Sequence, residues 1–179
     1  IEQRNLTNWV YESLTIIENK TSHPIILIGS SMGGWISLLL AKKLKTKLLG
    51  IIGIATAIDF TMGIIDNLSQ KKKLFYKKNL FIKIHNKYSK DSYVFTKKFI
   101  EDSKKHLISK KKIRLNCKVI FLYGKKDTSV KLSTQIKLLK TISAKEVSLI
   151  ISNNSDHRMS SKSDLLLIED NLQKLFSIK

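Results

Sequence analysis

Pro24-Ile25-Ile26-Leu27-Ile28-Gly29-Ser30-Ser31-Met32-Gly33-Gly34-Trp35-Ile36-Ser37-Leu38-Leu39-Leu40 reads as a short strand, a glycine-flanked turn and the start of a helix. Ile25–Ile28 is continuous, apolar and rich in β-branched residues, as expected of a parallel strand buried on both faces. A helix is predicted from about Ser31 to Leu44. Gly29-Ser30-Ser31-Met32-Gly33 fits the pattern Gly-x-Ser-x-Gly at the junction. A serine at such a sharp strand-to-helix turn is held in a tight backbone conformation with its hydroxyl exposed. The flanking glycines are expected where a Cβ would strike neighbouring backbone. Ser31 is therefore a candidate nucleophile, and a helix-capping serine is the plainer reading. Ser30 stands one position out of the pattern.

Outward from this stretch, Leu6, Trp9, Val10, Leu14 and Ile17 recur at helical spacing, which predicts an amphipathic helix over about Thr7–Glu18. Downstream, Leu48–Thr56 is a second buried strand. From Asp59 to Lys112 the pattern changes: Leu68–Leu80 and Tyr93–Ile108 read as helices and no strand stands out. Lys118–Tyr123 is a third strand, Val130–Ile142 a helix, Val147–Ile151 a fourth strand and Leu165–Phe176 a closing helix. That alternation predicts an α/β fold in one domain, residues 1–179. It comprises an open, mostly parallel sheet with crossover helices and a helical insert at about 59–112.

The 179 residues are 42% hydrophobic, enough for one domain with a substantial core, and no apolar run approaches the length of a membrane span. The single Cys117 has no partner within the chain, which suits a reducing compartment such as cytosol or an organelle matrix. Its expected role is that of a small buried apolar residue. The net charge is +19, and residues 69–112 alone hold 15 lysines against three acidic residues. Such a surface attracts anions, and a weak contact with an anionic membrane surface is one reading of it. The other is a set of solvated lysine faces in a chain rich in Lys, Ile and Asn. No nucleic-acid motif accompanies the charge, so no specific nucleic-acid partner is expected. No spaced His, Cys or carboxylate cluster suggests a metal, and the glycine turn lacks the lysine of a phosphate loop, so no cofactor is expected.

In an open parallel sheet, functional residues gather on loops beyond the carboxyl ends of the strands. Ser31, Asp127 and His157 follow the first, third and fourth strands in turn. A serine needs a base to act as a nucleophile at neutral pH, and an imidazole base needs a carboxylate to fix its tautomer. The order Ser, Asp, His is that of the α/β-hydrolases. Met32, the residue after the serine, is expected to offer its backbone N–H to a developing oxyanion. Asp59, just past the second strand, competes with Asp127 for the acid role. Asp156 adjoins His157 in sequence and is poorly placed to face it. His23, His85 and His106 lie before a strand or within the lysine-rich insert.

Four segments together resemble the ABHD10 group of α/β-hydrolases: Gly29-Ser30-Ser31-Met32-Gly33-Gly34-Trp35, Ile52-Gly53-Ile54-Ala55-Thr56-Ala57, Leu122-Tyr123-Gly124-Lys125-Lys126-Asp127 and Ser155-Asp156-His157-Arg158-Met159. The resemblance covers nearly the whole chain and favours Asp127 over Asp59. It implies hydrolysis of acyl esters or thioesters, such as palmitoyl thioesters or acyl glucuronides, with Ser31, His157 and Asp127 as the working residues; the alternatives are another serine-hydrolase chemistry, such as peptide or lactone cleavage, and a basic non-catalytic binding domain on a hydrolase scaffold. It also implies that the 59–112 insert is a cap over the acyl chain, with Phe60, Met62, Phe75 and Phe81 as pocket candidates or plain cap core. Ser129-Val130-Lys131 departs from the proline that commonly follows the acid. Intact members carry further strands and a second oxyanion donor upstream of the first strand, and these 179 residues hold neither. The chain, opening on Ile1 with no strand ahead of its first helix, reads as an N-terminally truncated piece. Alone it is expected to be marginally stable and poorly active.

Overall fold

A computed structural model describes residues 4–44, 47–85, 88 and 90–176. Helix α1 (Leu6–Lys20) starts at a reciprocal cap: Asn5 accepts from the Asn8 N–H at 2.8 Å, and the Asn8 side chain accepts from the Asn5 N–H at 3.2 Å. Strand β1 (Ile25–Ser30), helix α2 (Met32–Leu44) and strand β2 (Leu48–Ile54) follow. Helix α3 (Gln70–Asn79), strands β3 (Phe81–His85) and β4 (Ser92–Thr96) and helix α4 (Lys97–Ser103) make up most of the insert. Two-residue strand β5 (Ile113–Arg114) leads to β6 (Lys118–Gly124) and α5 (Leu132–Thr141). Strands β7 (Ile142–Ser143) and β8 (Glu146–Ser152) and helix α6 (Lys162–Phe176) close the chain.

The main sheet is parallel throughout, in the order β1-β2-β6-β8. Ser30, Ile54, Leu122 and Ile150 lie in one row across it, so the strands end nearly level and their following loops share one rim. The two central strands carry uninterrupted apolar runs because both faces are covered. Ile51, Val119 and Phe121 enter a core with Trp35, Leu38 and Leu138, while Ile52, Ile120 and Leu122 point to the opposite core with Met159 and Leu175. Helix α2 packs on the sheet and on α1, and is correspondingly buried almost all round.

Two expectations are corrected. Strand β1 is half-buried rather than covered on both faces: it lies at the edge of the sheet, and Ile28 is 47% exposed. The insert is not purely helical either. Phe81–His85 and Ser92–Thr96 form an antiparallel hairpin, and the helix expected over Tyr93–Ile108 is shortened to α4. Thr96 starts that helix by accepting from the Phe99 N–H at 3.1 Å. Phe60, Phe95, Phe99 and Trp9 form a chain of ring contacts that seats the insert against the main body. Among the described residues no helix is long and apolar enough to cross a membrane.

Candidate active site

Ser31 occupies the single residue between β1 and α2 with φ of 52°, in the left-handed region that non-glycine residues rarely adopt. The loop after β2 holds it there from both sides. Its N–H donates to the Ile54 carbonyl at 2.8 Å, and its own carbonyl accepts from the Ala57 N–H at 3.0 Å. Close packing explains two of the local glycines. A Cβ on Gly29 would lie 2.3 Å from the Gly33 carbonyl oxygen, and one on Gly34 would lie 2.5 Å from Thr56 Oγ1. Gly33 is different: a Cβ there would meet nothing within 4 Å, so the expected collision belongs to Gly34 instead. Met32 opens α2, and the first N–H groups of a helix have no partner within it.

Asp127 is fixed by the turn after β6. Its Oδ1 accepts from the N–H groups of Ser129 at 2.7 Å and Val130 at 2.9 Å, and the Tyr123 hydroxyl donates to the Val130 carbonyl at 2.9 Å. Burial, and then the negative charge of Asp127, push the Tyr123 phenol up. The loop after β8 is stitched to this turn. Lys125 and Lys126 N–H donate to the carbonyls of Ser152 and Ser155, at 2.8 and 2.9 Å. A Cβ on Gly124 would lie 2.4 Å from the Ser155 carbonyl oxygen. Below, the buried Asp164 carboxylate accepts from the Ser155 and Ser161 hydroxyls and from the Ser161 N–H. Burial alone would raise its pKa, but those three donors outweigh it and leave the carboxyl below its usual range.

The structure brings Ser31, His157 and Asp127 together. His157 Nδ1 lies 2.8 Å from Asp127 Oδ2, and Nε2 lies 3.1 Å from Ser31 Oγ. An ionised carboxylate only accepts, so the proton sits on Nδ1 and Nε2 is free to accept from the serine hydroxyl. The Asp127 side chain is fully buried and that of His157 is 13% exposed. Such a chain can draw a proton from the hydroxyl as it attacks an electrophile.

The rival residues are occupied elsewhere. Asp59 accepts from the N–H groups of Ile108 and Ser109, at 2.9 and 2.7 Å, and so ties down the end of the insert. Asp156 accepts from the N–H groups of Arg158 and Met159. His106 bonds to Thr7 at the foot of α1, and His85 ends β3.

The four pocket candidates separate. Phe60 packs edge-on against Trp35 and Phe95, with Met62 beside it in a cleft of about 430 Å³ that also includes Asp59 and Lys137. Phe75 and Phe81 form their own edge-to-face pair, 5.4 Å between centroids. The aromatic ring that meets the site is Tyr88, between β3 and β4. It stacks on the His157 imidazole with centroids 6.1 Å apart, and the Arg158 guanidinium lies 5.8 Å from its centroid. Nothing local in sequence sets Tyr88 apart from the other aromatics of the insert.

Comparison with known proteins bears on the fold. A putative hydrolase from Agrobacterium vitis S4 superposes with a TM-score of 0.91 at 27% identity, over 96% of this chain and 69% of that one. Mouse α/β hydrolase domain-containing protein 10 gives 0.88 at 26%, over 98% and 71%. This chain has the α/β-hydrolase fold. Its sequence is similar to human palmitoyl-protein thioesterase ABHD10, a mitochondrial protein, with 31% identity over 99% of this chain and 60% of the relative. The mouse counterpart is 29% identical over 95% and 59%. The chain thus spans about 60% of the length of the curated relatives it matches. No family model matches it.

Proposed function

We propose that this α/β-hydrolase chain cleaves acyl esters or thioesters through Ser31, His157 and Asp127. The observation that carries the reading is the continuous hydrogen-bonded path from Ser31 Oγ through the imidazole to the buried Asp127 carboxylate. In the reaction, Ser31 Oγ attacks the acyl carbonyl while His157 Nε2 takes the hydroxyl proton. Asp127 stabilises the imidazolium and stays ionised. The oxyanion is held by the Met32 N–H at the head of α2. Collapse of the tetrahedral intermediate expels the alcohol or thiol, which receives the proton from His157, and leaves an acyl-serine. Water, deprotonated by the same imidazole, then attacks the acyl-serine. The acid departs and Ser31 recovers its proton. Tyr88 stacks over the imidazole, so the β3–β4 hairpin forms part of the wall facing the substrate.

The similarity to proteins named palmitoyl-protein thioesterases favours a long-chain acyl thioester as substrate. Lys71, Lys72, Lys77 and Lys78 stand exposed on α3 beside the exposed Leu74, Phe75 and Leu80, which favours a weak contact with an anionic membrane where such acyl groups reside. A fluorophosphonate probe tests the chemistry. Labelling that is lost in Ser31→Ala and strongly reduced in His157→Ala is the expected result. An unlabelled wild-type protein that instead binds anionic polymers or vesicles would favour the competing reading, a basic non-catalytic binding domain on a hydrolase scaffold.

A further inference from the structure

Gln135 lies on α5, completely buried, at a position a leucine would fill without polar atoms to satisfy. Its Nε2 donates to the Thr56 carbonyl at 2.8 Å, while its Oε1 is buried with no partner among the described protein groups. A buried amide whose acceptor is unmatched is an unfavourable way to fill a core, so its donor is where its value lies. The acceptor it meets belongs to the segment that clamps the elbow. Ile54 and Ala57 grip the two sides of the Ser31 peptide, Ala55 sits at φ of 45° with its N–H on the Leu122 carbonyl, and Thr56 is wholly buried between them. The Thr56 side chain also occupies the space above Gly34 and Gly53 that a Cβ at either would enter.

We propose that Gln135 is a positioning residue for the nucleophile. It holds the Thr56 peptide, and through Ile54–Ala57 it holds Ser31 in its left-handed conformation with Oγ aimed at His157. The segment running from the end of β6 into α5 then acts at both ends of the relay: Asp127 in the connecting turn orients the imidazole, and eight residues later Gln135 on α5 fixes the serine that the imidazole serves. In the sheet order the β2 loop lies between the Ser31 and Asp127 loops, which is what lets one segment reach both. This inference rests on the proposed role of Ser31.

The test compares wild type, Gln135→Leu and Gln135→Glu, following the rate of fluorophosphonate labelling and the steady-state hydrolysis of a chromogenic acyl ester. Measurements are made at a temperature where each variant is folded. Gln135→Leu removes the donor, and the expected loss is up to about 10²-fold in both labelling rate and kcat, with KM within about twofold. In Gln135→Glu the neutral acid still donates to the Thr56 carbonyl, whereas the carboxylate cannot. Its activity relative to wild type is therefore expected to recover as pH falls. Labelling of Gln135→Leu at the wild-type rate would overturn the proposal. If Gln135→Leu does not fold, a Gln135→Glu to wild-type activity ratio that is flat with pH overturns it instead. A wild-type protein that is not labelled at Ser31 removes the functional reading itself, and this inference with it.

Discussion

His157 and Asp127 meet at 2.8 Å from two loops that hold each other in register before either side chain is considered: the N–H groups of Lys125 and Lys126 donate to carbonyls on the histidine's loop. The contact is therefore set by backbone, and the carboxylate can be altered without dismantling the loops.

Asp127→Asn is expected to leave the fold intact and to lower kcat by about 10⁴-fold. The amide can donate to Nδ1 and so favours the tautomer that cannot accept from Ser31. Circular dichroism and the rate of acyl-ester hydrolysis check the two halves of this statement. A variant that keeps more than a tenth of wild-type turnover would remove Asp127 from the relay.

The glycines around Ser31 make a second, sharper comparison. Gly34→Ala places a Cβ against Thr56 and is expected to cost about 1–3 kcal/mol. Gly33→Ala meets open space in a helical position and is expected to stabilise by about 0.5–1 kcal/mol. Urea denaturation of the two variants should separate them in opposite directions.

Much of this arrangement was legible in the sequence, and the exceptions have physical causes. The central strands β2 and β6 announce themselves as apolar runs because both of their faces are buried, and the edge strands β1 and β8 carry shorter apolar runs over partly exposed positions. The positions of Ser31, Asp127 and His157 follow from the rule that loops at the strands' carboxyl ends converge. The β3–β4 hairpin was hidden because its strands are only five residues each, while Phe95 and Phe99 imitate helical spacing. Gln135 was invisible for the opposite reason: on an amphipathic helix a glutamine reads as solvent-facing, and only tertiary contact reveals it as buried. The sequence motif also credits Gly33 with the crowding that falls on Gly34, since a pattern records positions and not neighbours.

Acid is expected to destabilise the protein progressively below about pH 6.5, the ordinary histidine value. Burial, reinforced by Lys105 and Lys43, lowers the His106 pKa despite the opposing charge of Asp102. The fold therefore favours the neutral ring, and stability falls as the unfolded chain takes up that proton first. Burial would raise the Asp102 carboxyl, but Thr7 donates to it through both N–H and hydroxyl, and Lys105 and His106 add to the effect. The result is a value below the usual range. Asp164 is lowered by its serine donors. The stability these two supply is present above the ordinary carboxylate pKa and is lost as pH falls through their depressed values. Thermal melts from pH 8 to 3 should decline monotonically below neutrality, and Asp164→Asn should flatten the lowest part of the curve. A melt temperature constant from pH 7 to 4 would contradict the assignment.

Helix α3 has no buried residue, and its exposed apolar side chains Leu74 and Phe75 adjoin Lys71, Lys72, Lys77 and Lys78. A helix that packs so little of itself on its own domain gains most from an external surface, and each lysine near an anionic bilayer contributes about 1 kcal/mol. Binding to vesicles containing phosphatidylserine or cardiolipin is therefore expected at low salt, with loss at high salt and none to phosphatidylcholine alone. Reversing Lys77 and Lys78 to Glu together should weaken it by at least about 25-fold. Leu74→Ser should weaken it at all salt concentrations, because Leu74 is 66% exposed and the change removes apolar insertion while leaving the charge unchanged. Binding that tracks net charge alone, and is indifferent to Leu74 and to which lysines are reversed, would mark the patch as a solvated surface.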